Sequence, residues 1–284
     1  MLTKWWRQCR CDWMDFPLRQ GTVWAGRYRI DQFIGMGSYG QTYRCTDLMT
    51  RTSVLMKRAK PSKQRIARMM LEQESDILRR FDHPQIPKWL NYTENRNEEV
   101  LITELVEGDS LVYSIIEQGR TYSEREALLI IQQLLRPILH MHETGYVHRD
   151  VSIGNVLAHR DRIYLIDFGL ACRIGKAPMS EEHDDIDNSR GLSGFVDSWG
   201  PVKERMRVPD PTSDLYGLGH LFLFLIYTGY SPNEGQEELS WEEELKLNPD
   251  VEAFVQSLLA GNLRTAAECE RELEDVLTSI GMAD

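Results

Sequence analysis

His148, Arg149 and Asp150 are followed by Asn155, and then by Asp167, Phe168 and Gly169 behind the apolar run Ile163 to Ile166. Five positions separate Asp150 from Asn155, and twelve separate Asn155 from Asp167. This order places a carboxylate able to orient a hydroxyl nucleophile near two oxygen ligands suited to Mg²⁺. The chemistry that fits is phosphoryl transfer, which asks a protein for alignment of the acceptor and neutralisation of charge rather than covalent help. A lone His-Arg-Asp triplet or a lone Asp-Phe-Gly turn would carry no such meaning.

A second group lies upstream. Gly35, Gly37 and Gly40 punctuate a stretch of alternating apolar residues. Glycine turns also serve ordinary hairpins and dinucleotide sites, but a dinucleotide loop must open a helix. Here the loop leads into Gln41, Thr42, Tyr43, Arg44 and Cys45, which reads as strand. That context predicts a hairpin whose backbone N–H groups can approach phosphate without a Cβ in the way. Lys57 ends the next apolar strand and Glu74 lies on a following helix. A surface lysine and a solvated glutamate are the ordinary fate of such residues. With the other motifs present, they read instead as a phosphate-binding cation aimed by an acid.

Taken together, these motifs resemble the eukaryotic-like Ser/Thr protein kinase family, over roughly residues 27–277. The resemblance implies an α+β, bilobal fold, with a small antiparallel β lobe carrying one helix and a larger, mainly helical lobe. It implies that Asp150 accepts or orients the acceptor proton, that Lys57 holds the nucleotide phosphates with Glu74 beside it, and that Asn155 and Asp167 ligate Mg²⁺. ATP would lie against Ile34, Gly35, Gly37, Ser38, Gly40, Thr42 and Leu55, against the linker residues Glu104 and Leu105, and on Leu157. Asp109 or Ser110 would reach the ribose. Asp214 would anchor the catalytic loop by accepting its N–H groups, a role compatible with its also being a helix N-cap. His148, Phe168, Leu78 and Trp89 would pack into an apolar spine. Arg149 would pair with a phosphate on the activation segment, and Glu204 with Arg264 would staple that segment's end.

Three positions depart from the family pattern. Ser152 stands where a lysine usually meets the γ-phosphate, and Leu192 where a threonine usually supports that lysine. Losing such a donor costs roughly 10²-fold in rate by analogy with other transition-state contacts. Leu55 replaces a small residue above the adenine, and overpacking of this kind costs about 1–3 kcal/mol unless the backbone shifts. These departures keep two other readings open: a kinase-like nucleotide-binding module with little transfer, and a small-molecule kinase. Ser180, Ser189, Ser193 and Ser198 are the candidates for autophosphorylation.

The elements that must position these residues are legible in outline. The sequence predicts strand, turn and strand over 27–43, a strand over 53–57, and a helix opened at Lys60-Pro61-Ser62 with Ser62 as N-cap. Ile66, Met69, Met70, Gln73, Ile77 and Phe81 form its expected inner stripe. A strand over 100–103 leads into a linker, 104–108. Beyond it the pattern turns helical, with a long amphipathic helix over 127–143 and a strongly apolar one from Asp214. Domain boundaries are therefore expected at 27–103, 104–108 and 109–277, with a Trp-rich extension, 1–24, packed on the first lobe and a short tail, 278–284.

Bulk properties narrow the surroundings. The chain has 284 residues, 42% hydrophobic and 27% charged, with a net charge of −11. Charge is uneven: the stretch through Thr103 carries 18 basic and 11 acidic residues, and the rest 15 and 33. An acidic second half disfavours nucleic acid and would attract cationic peptides, although solvated helix faces explain it equally well. The five cysteines include no zinc-like double pair and read as reduced thiols of a cytoplasmic protein. The first twenty residues are broken by charges and do not read as a secretory signal. The apolar run 221–227 is far too short to span a bilayer.

Overall fold

Residues 14–176, 200–230 and 239–281 are described by the computed structural model, which divides into two units, Met1–Val106 and Glu107–Asp284. The boundary falls inside the expected linker. The four candidate phosphoserines and Leu192 lie outside the described residues.

Period-2 alternation builds the first unit. Strands β1 (Val23–Trp24), β2 (Tyr28–Met36), β3 (Gly40–Asp47), β4 (Thr52–Ala59), β5 (Trp89–Asn95) and β6 (Glu98–Glu104) form one antiparallel sheet in the order β1-β2-β3-β4-β6-β5. One face buries Trp24, Tyr28, Ile30, Tyr43, Cys45, Val54, Met56, Val100 and Ile102. The other packs Ala59 and Leu101 against Ala67 and Leu71 of helix α1 (Gln64–Leu78).

Two expectations fail here. The buried face of α1 is Ala67, Leu71, Glu74, Ser75, Ile77 and Leu78, rotated from the expected stripe. Of the expected stripe, Ile77 and Phe81 are buried, whereas Ile66, Met69, Met70 and Gln73 are only half-buried. The rotation follows from what α1 must present to the sheet: Glu74 and Ser75 are drawn inward by Lys57 and by the Trp89 indole N–H, respectively. Ser62 is not the N-cap. A 3₁₀ turn, Pro61–Lys63, precedes α1, and Ser62 is itself held by Asp15.

The described part of the extension, residues 14–24, packs on this unit, and more intimately than a boundary at 24 suggested. β1 pairs with β2 through Val23↔Arg29 and Trp24↔Tyr28. Fully burying an aromatic side chain of this kind contributes about 1.5–3 kcal/mol. Leu18 packs on the same core, and its N–H donates to the Tyr43 hydroxyl at 3.1 Å.

In the second unit, the helices are α2 (Leu111–Ile116), α3 (Glu124–Glu143), α4 (Gly200–Met206), α5 (Pro211–Tyr227), α6 (Trp241–Glu244), α7 (Pro249–Ala260) and α8 (Ala266–Gly281). Ser123 and Glu126 form a reciprocal capping box at the start of α3. Ala127, Leu128, Ile131, Leu134, Leu135, Ile138 and Met141 are its buried face. Helix α5 is apolar almost all round, the mark of a central helix, and packs against α3 and α7. Its N-cap is Asp210, which accepts from the Thr212 N–H, so Asp214 is not a cap. Small sheets complete the unit: β10 (Arg162–Leu165), β9 (Val156–His159) and β7 (Asp109–Ser110) in one, and β11 (Cys172–Arg173) with β8 (Tyr146–Val147) in the other. No helix among the described residues is long and apolar enough to cross a membrane.

Candidate active site

Within the first unit the glycine hairpin closes tightly, with the Gly37 N–H donating to the Gly40 carbonyl at 2.8 Å. A Cβ on Gly40 would press on the Lys57 stem at 3.3 Å, so this glycine makes room for the lysine. Gly35 differs. Its φ does not demand glycine, and nothing lies within 4 Å of the Cβ it lacks. Space kept open beside half-buried backbone suits a ligand that approaches the chain closely. Ile34 and Ser38 are exposed in this hairpin, and Thr42 is half-buried and pairs with Lys57 across β3 and β4.

Lys57 Nζ donates to Glu74 Oε2 at 2.6 Å, with the glutamate nearly buried and the lysine one-fifth exposed. A partly desolvated, short pair fixes the direction of a long side chain. Leu55 is half-buried in β4, opposite Arg44 and Thr103. Glu104 is exposed, and Leu105 half-buried. The Glu104 N–H donates to the Lys88 carbonyl at 2.8 Å.

Within the second unit one buried carboxylate organises the loop. Asp214, in the first turn of α5, has no exposed surface. It accepts from the His148 N–H at 2.9 Å, the Arg149 N–H at 2.7 Å and His142 Nε2 at 2.9 Å. Burial alone would raise its pKa. The hydrogen bond and charge of His142, helped by His148, outweigh that and hold it below the ordinary carboxylate value. The expected anchoring by Asp214 is thus present. His142 went unforeseen, as did Gly217: a Cβ there would meet the Val151 carbonyl at 2.9 Å, so this glycine lets α5 approach the loop beside Asp150. A glycine inside an apolar helix is the signal that could have found it.

Asp150 and Asn155 are directly joined. Asn155 Nδ2 donates to Asp150 Oδ2 at 2.7 Å and to the Asp150 carbonyl at 2.9 Å. The Asn155 carbonyl in turn accepts from the Ile166 N–H at 2.9 Å. Register β9–β10, with Val156 opposite Leu165, therefore brings Asn155 beside the residue preceding Asp167. Asp167 is exposed, and the Gly169 N–H donates to its Oδ1 at 3.2 Å. Arg149 and Asp167 both have left-handed backbone, with φ of 67° and 62°. Such strain persists where surroundings over-determine the chain, and it clusters at functional sites. Phe168 packs edge-on to His148, with ring centroids 5.1 Å apart. Leu157 lies half-buried in β9, paired with Ser110 and Tyr164.

The Arg149 guanidinium is buried, donating to the carbonyls of Arg207 and Leu170, and the activation-segment serines expected to bring it a phosphate lie outside the described residues. Glu204 and Arg264 are both exposed, and among the described residues no ion pair joins them. The neighbouring Arg205 stacks 4.2 Å over the Tyr216 ring and lies close to Gly261. Among the described residues, no three His, Cys, Asp or Glu side chains gather into a metal cage. Asn155 and Asp167 nevertheless fit a hard divalent cation of the kind that takes one or two protein oxygens and completes its shell with water and phosphate.

This chain belongs to the protein kinase domain family, whose model matches residues 28–280. It is 28% identical over 247 residues to the probable serine/threonine-protein kinase YbdM of Bacillus subtilis, covering 86% of each chain. It is 29% identical over 227 residues to the serine/threonine-protein kinase PrkC of the same organism, spanning 76% of this chain but only 32% of that protein. The solved structure titled PpkA-294 apo form matches 90% of this chain and 99% of its own, with a TM-score of 0.63 and 20% identity, which supports the fold. Members of this family use ATP with a divalent metal and act on proteins.

Proposed function

We propose that the chain is a Ser/Thr protein kinase that transfers the γ-phosphate of Mg-ATP to protein hydroxyls, its own activation segment included. The observation that carries the reading is the direct hydrogen bond from Asn155 to Asp150, in a loop held by Asp214. In the family's reaction these side chains orient the acceptor and hold metal. Asp150 would accept a hydrogen bond from the substrate hydroxyl, and then its proton as the oxygen attacks phosphorus. Lys57, aimed by Glu74, would bind phosphate oxygens, while the backbone around Gly35, Gly37 and Ser38 covers them. Ile34, Thr42, Leu55, Glu104, Leu105 and Leu157 would surround the base. Asn155 and Asp167 would hold Mg²⁺, which when bound neutralises charge developing on the phosphates. The acidic second half favours basic acceptor segments.

The test is incubation of the purified chain with radiolabelled ATP, Mg²⁺ and a basic protein, with Asp150→Ala and Lys57→Ala beside it. Label on serine or threonine that disappears in both variants is the expected result. Nucleotide binding with no transfer, or label appearing on a small molecule alone, would overturn it.

A further inference from the structure

Helix α1 begins with an electrostatic problem. The first N–H groups of a helix lack intrahelical partners and carry the positive end of its dipole. Around this start the chain supplies Lys60, Lys63, Arg65 and Arg68. No acidic residue sits in the first turn of α1 or of the 3₁₀ turn before it, and the N-cap makes no side-chain hydrogen bond.

The missing carboxylate comes from the N-terminal arm. Asp15 is 6% exposed. Its Oδ1 accepts from the Ser62 N–H at 2.8 Å and its Oδ2 from the Ser62 hydroxyl at 2.5 Å, with Lys60 Nζ at 3.7 Å. The Asp15 carbonyl accepts from Gln41 Nε2 at 2.5 Å. Gln41 is fully buried, and its Oε1 accepts from Arg58 Nη1 and the Tyr43 hydroxyl, each at 2.8 Å. One residue therefore ties the start of α1 to β3, and through Arg58 to β4, the strand that carries Lys57. A buried network of this kind, in which Arg58 Nε alone of these side-chain groups is left without a partner, fixes geometry more than it adds stability.

We infer that Asp15 is a positioning residue for phosphoryl transfer: by clamping the head of α1 to β3, it sets where Glu74 holds the Lys57 ammonium. The inference rests on the reading of Lys57 and Glu74 given above. Ten residues separate Gln64 from Glu74, a span of about 15 Å along a helix. Pivoting the helix head by a small angle therefore displaces Glu74 against a contact that now measures 2.6 Å.

The test uses the full chain with Asp15→Ala, Asp15→Asn, Glu74→Gln and the Asp15→Ala/Glu74→Gln double variant. Four quantities are read: ATP affinity by fluorescent-nucleotide titration, kcat, KM for ATP, and thermal midpoint. Asp15→Ala is expected to lower kcat/KM for ATP roughly five- to tenfold, within the range that losing a helix cap allows. Asp15→Asn, which keeps an acceptor for Ser62, is expected to restore it to within about twofold, since Asn and Asp cap comparably. In the Glu74→Gln background, Asp15→Ala is expected to change kcat/KM by less than about twofold, because residues acting through one contact are not additive. A lowered thermal midpoint with kcat/KM unchanged would overturn the inference, as would an equal loss in both backgrounds. If the wild-type chain transferred no phosphate, the kinase reading would fail by itself. The inference would then stand or fall on whether Asp15→Ala weakens nucleotide affinity through Glu74.

Discussion

The two units hold their functional residues by different means. In the second, backbone does the holding: the His148 and Arg149 N–H groups converge on the buried Asp214, and the Asn155 carbonyl is fixed by Ile166. In the first, a side-chain pair, Lys57 with Glu74, aims the cation, and the tightly closed glycine turn leaves free space only beside Gly35. A frame wired through main chain is lost only with the fold around it. A pair of side chains can be lost while the fold persists. Stability and activity should therefore be coupled in the second unit and separable in the first.

The largest expected effect probes that difference at the acceptor site. Asp150→Ala should reduce phosphate transfer about 10²–10⁴-fold while nucleotide affinity, by titration, stays within roughly twofold. Next comes the frame itself. Asp214→Ala leaves two loop N–H groups and His142 without their acceptor, and should cost about 3–5 kcal/mol in denaturant unfolding, with activity falling alongside. By contrast, Lys57→Ala should cut kcat/KM for ATP by about 10²-fold and move the unfolding midpoint less than Asp214→Ala does. Equal destabilisation by the two would erase the contrast drawn above.

Gly217→Ala sharpens it further. The added methyl must displace the Val151 carbonyl, so about 1–3 kcal/mol of overpacking strain should appear together with a lowered kcat rather than a raised KM. Stopped-assay kinetics and calorimetry on one preparation would separate these.

The smallest effect is acidic. Arg27 donates to Asp47 at 2.7 Å and holds its carboxyl at about 2, below the usual value. A depressed folded-state pKa means the stabilisation is present above the unfolded value, near 4, and is lost as pH falls through about 2. Removing the partner by Arg27→Ala should thus bring acid unfolding to higher pH, as followed by circular dichroism. Asp214, also depressed, adds a limb of the same sign in the other unit.

What was legible in the sequence was whatever is close in sequence or fixed in order. Asp150 and Asn155 share one loop, and the β9–β10 hairpin returns the chain to Ile166 beside Asn155, so the spacing already encodes that proximity. Lys57 and Glu74 lie on a strand and the next helix, and their pairing followed once the strand was seen. The rest depended on contacts that spacing cannot carry. Asp15 meets Ser62 from 47 positions away, and a lone aspartate in a Trp-rich stretch gives no sign of its target. Gly217 went unread, because only the Val151 carbonyl packed against it gives that glycine a reason. The stripe on α1 was misjudged because methionines were counted as core. Periodicity ranks residues by hydrophobicity, whereas the sheet drew in the charged Glu74 and the polar Ser75.

The arm has a practical corollary. Recombinant versions of such proteins are commonly trimmed to the recognisable domain, which here would begin at residue 28. That fragment would lack Asp15, Leu18 and Trp24, leaving the Gln41 amide without the Asp15 carbonyl, the Tyr43 hydroxyl without the Leu18 N–H, and one sheet face without the cover of Trp24 and Leu18. A sluggish, aggregation-prone preparation from that truncation would report on where the cut was made, and a start ahead of Met14 would be the sounder starting point for assays and crystals alike.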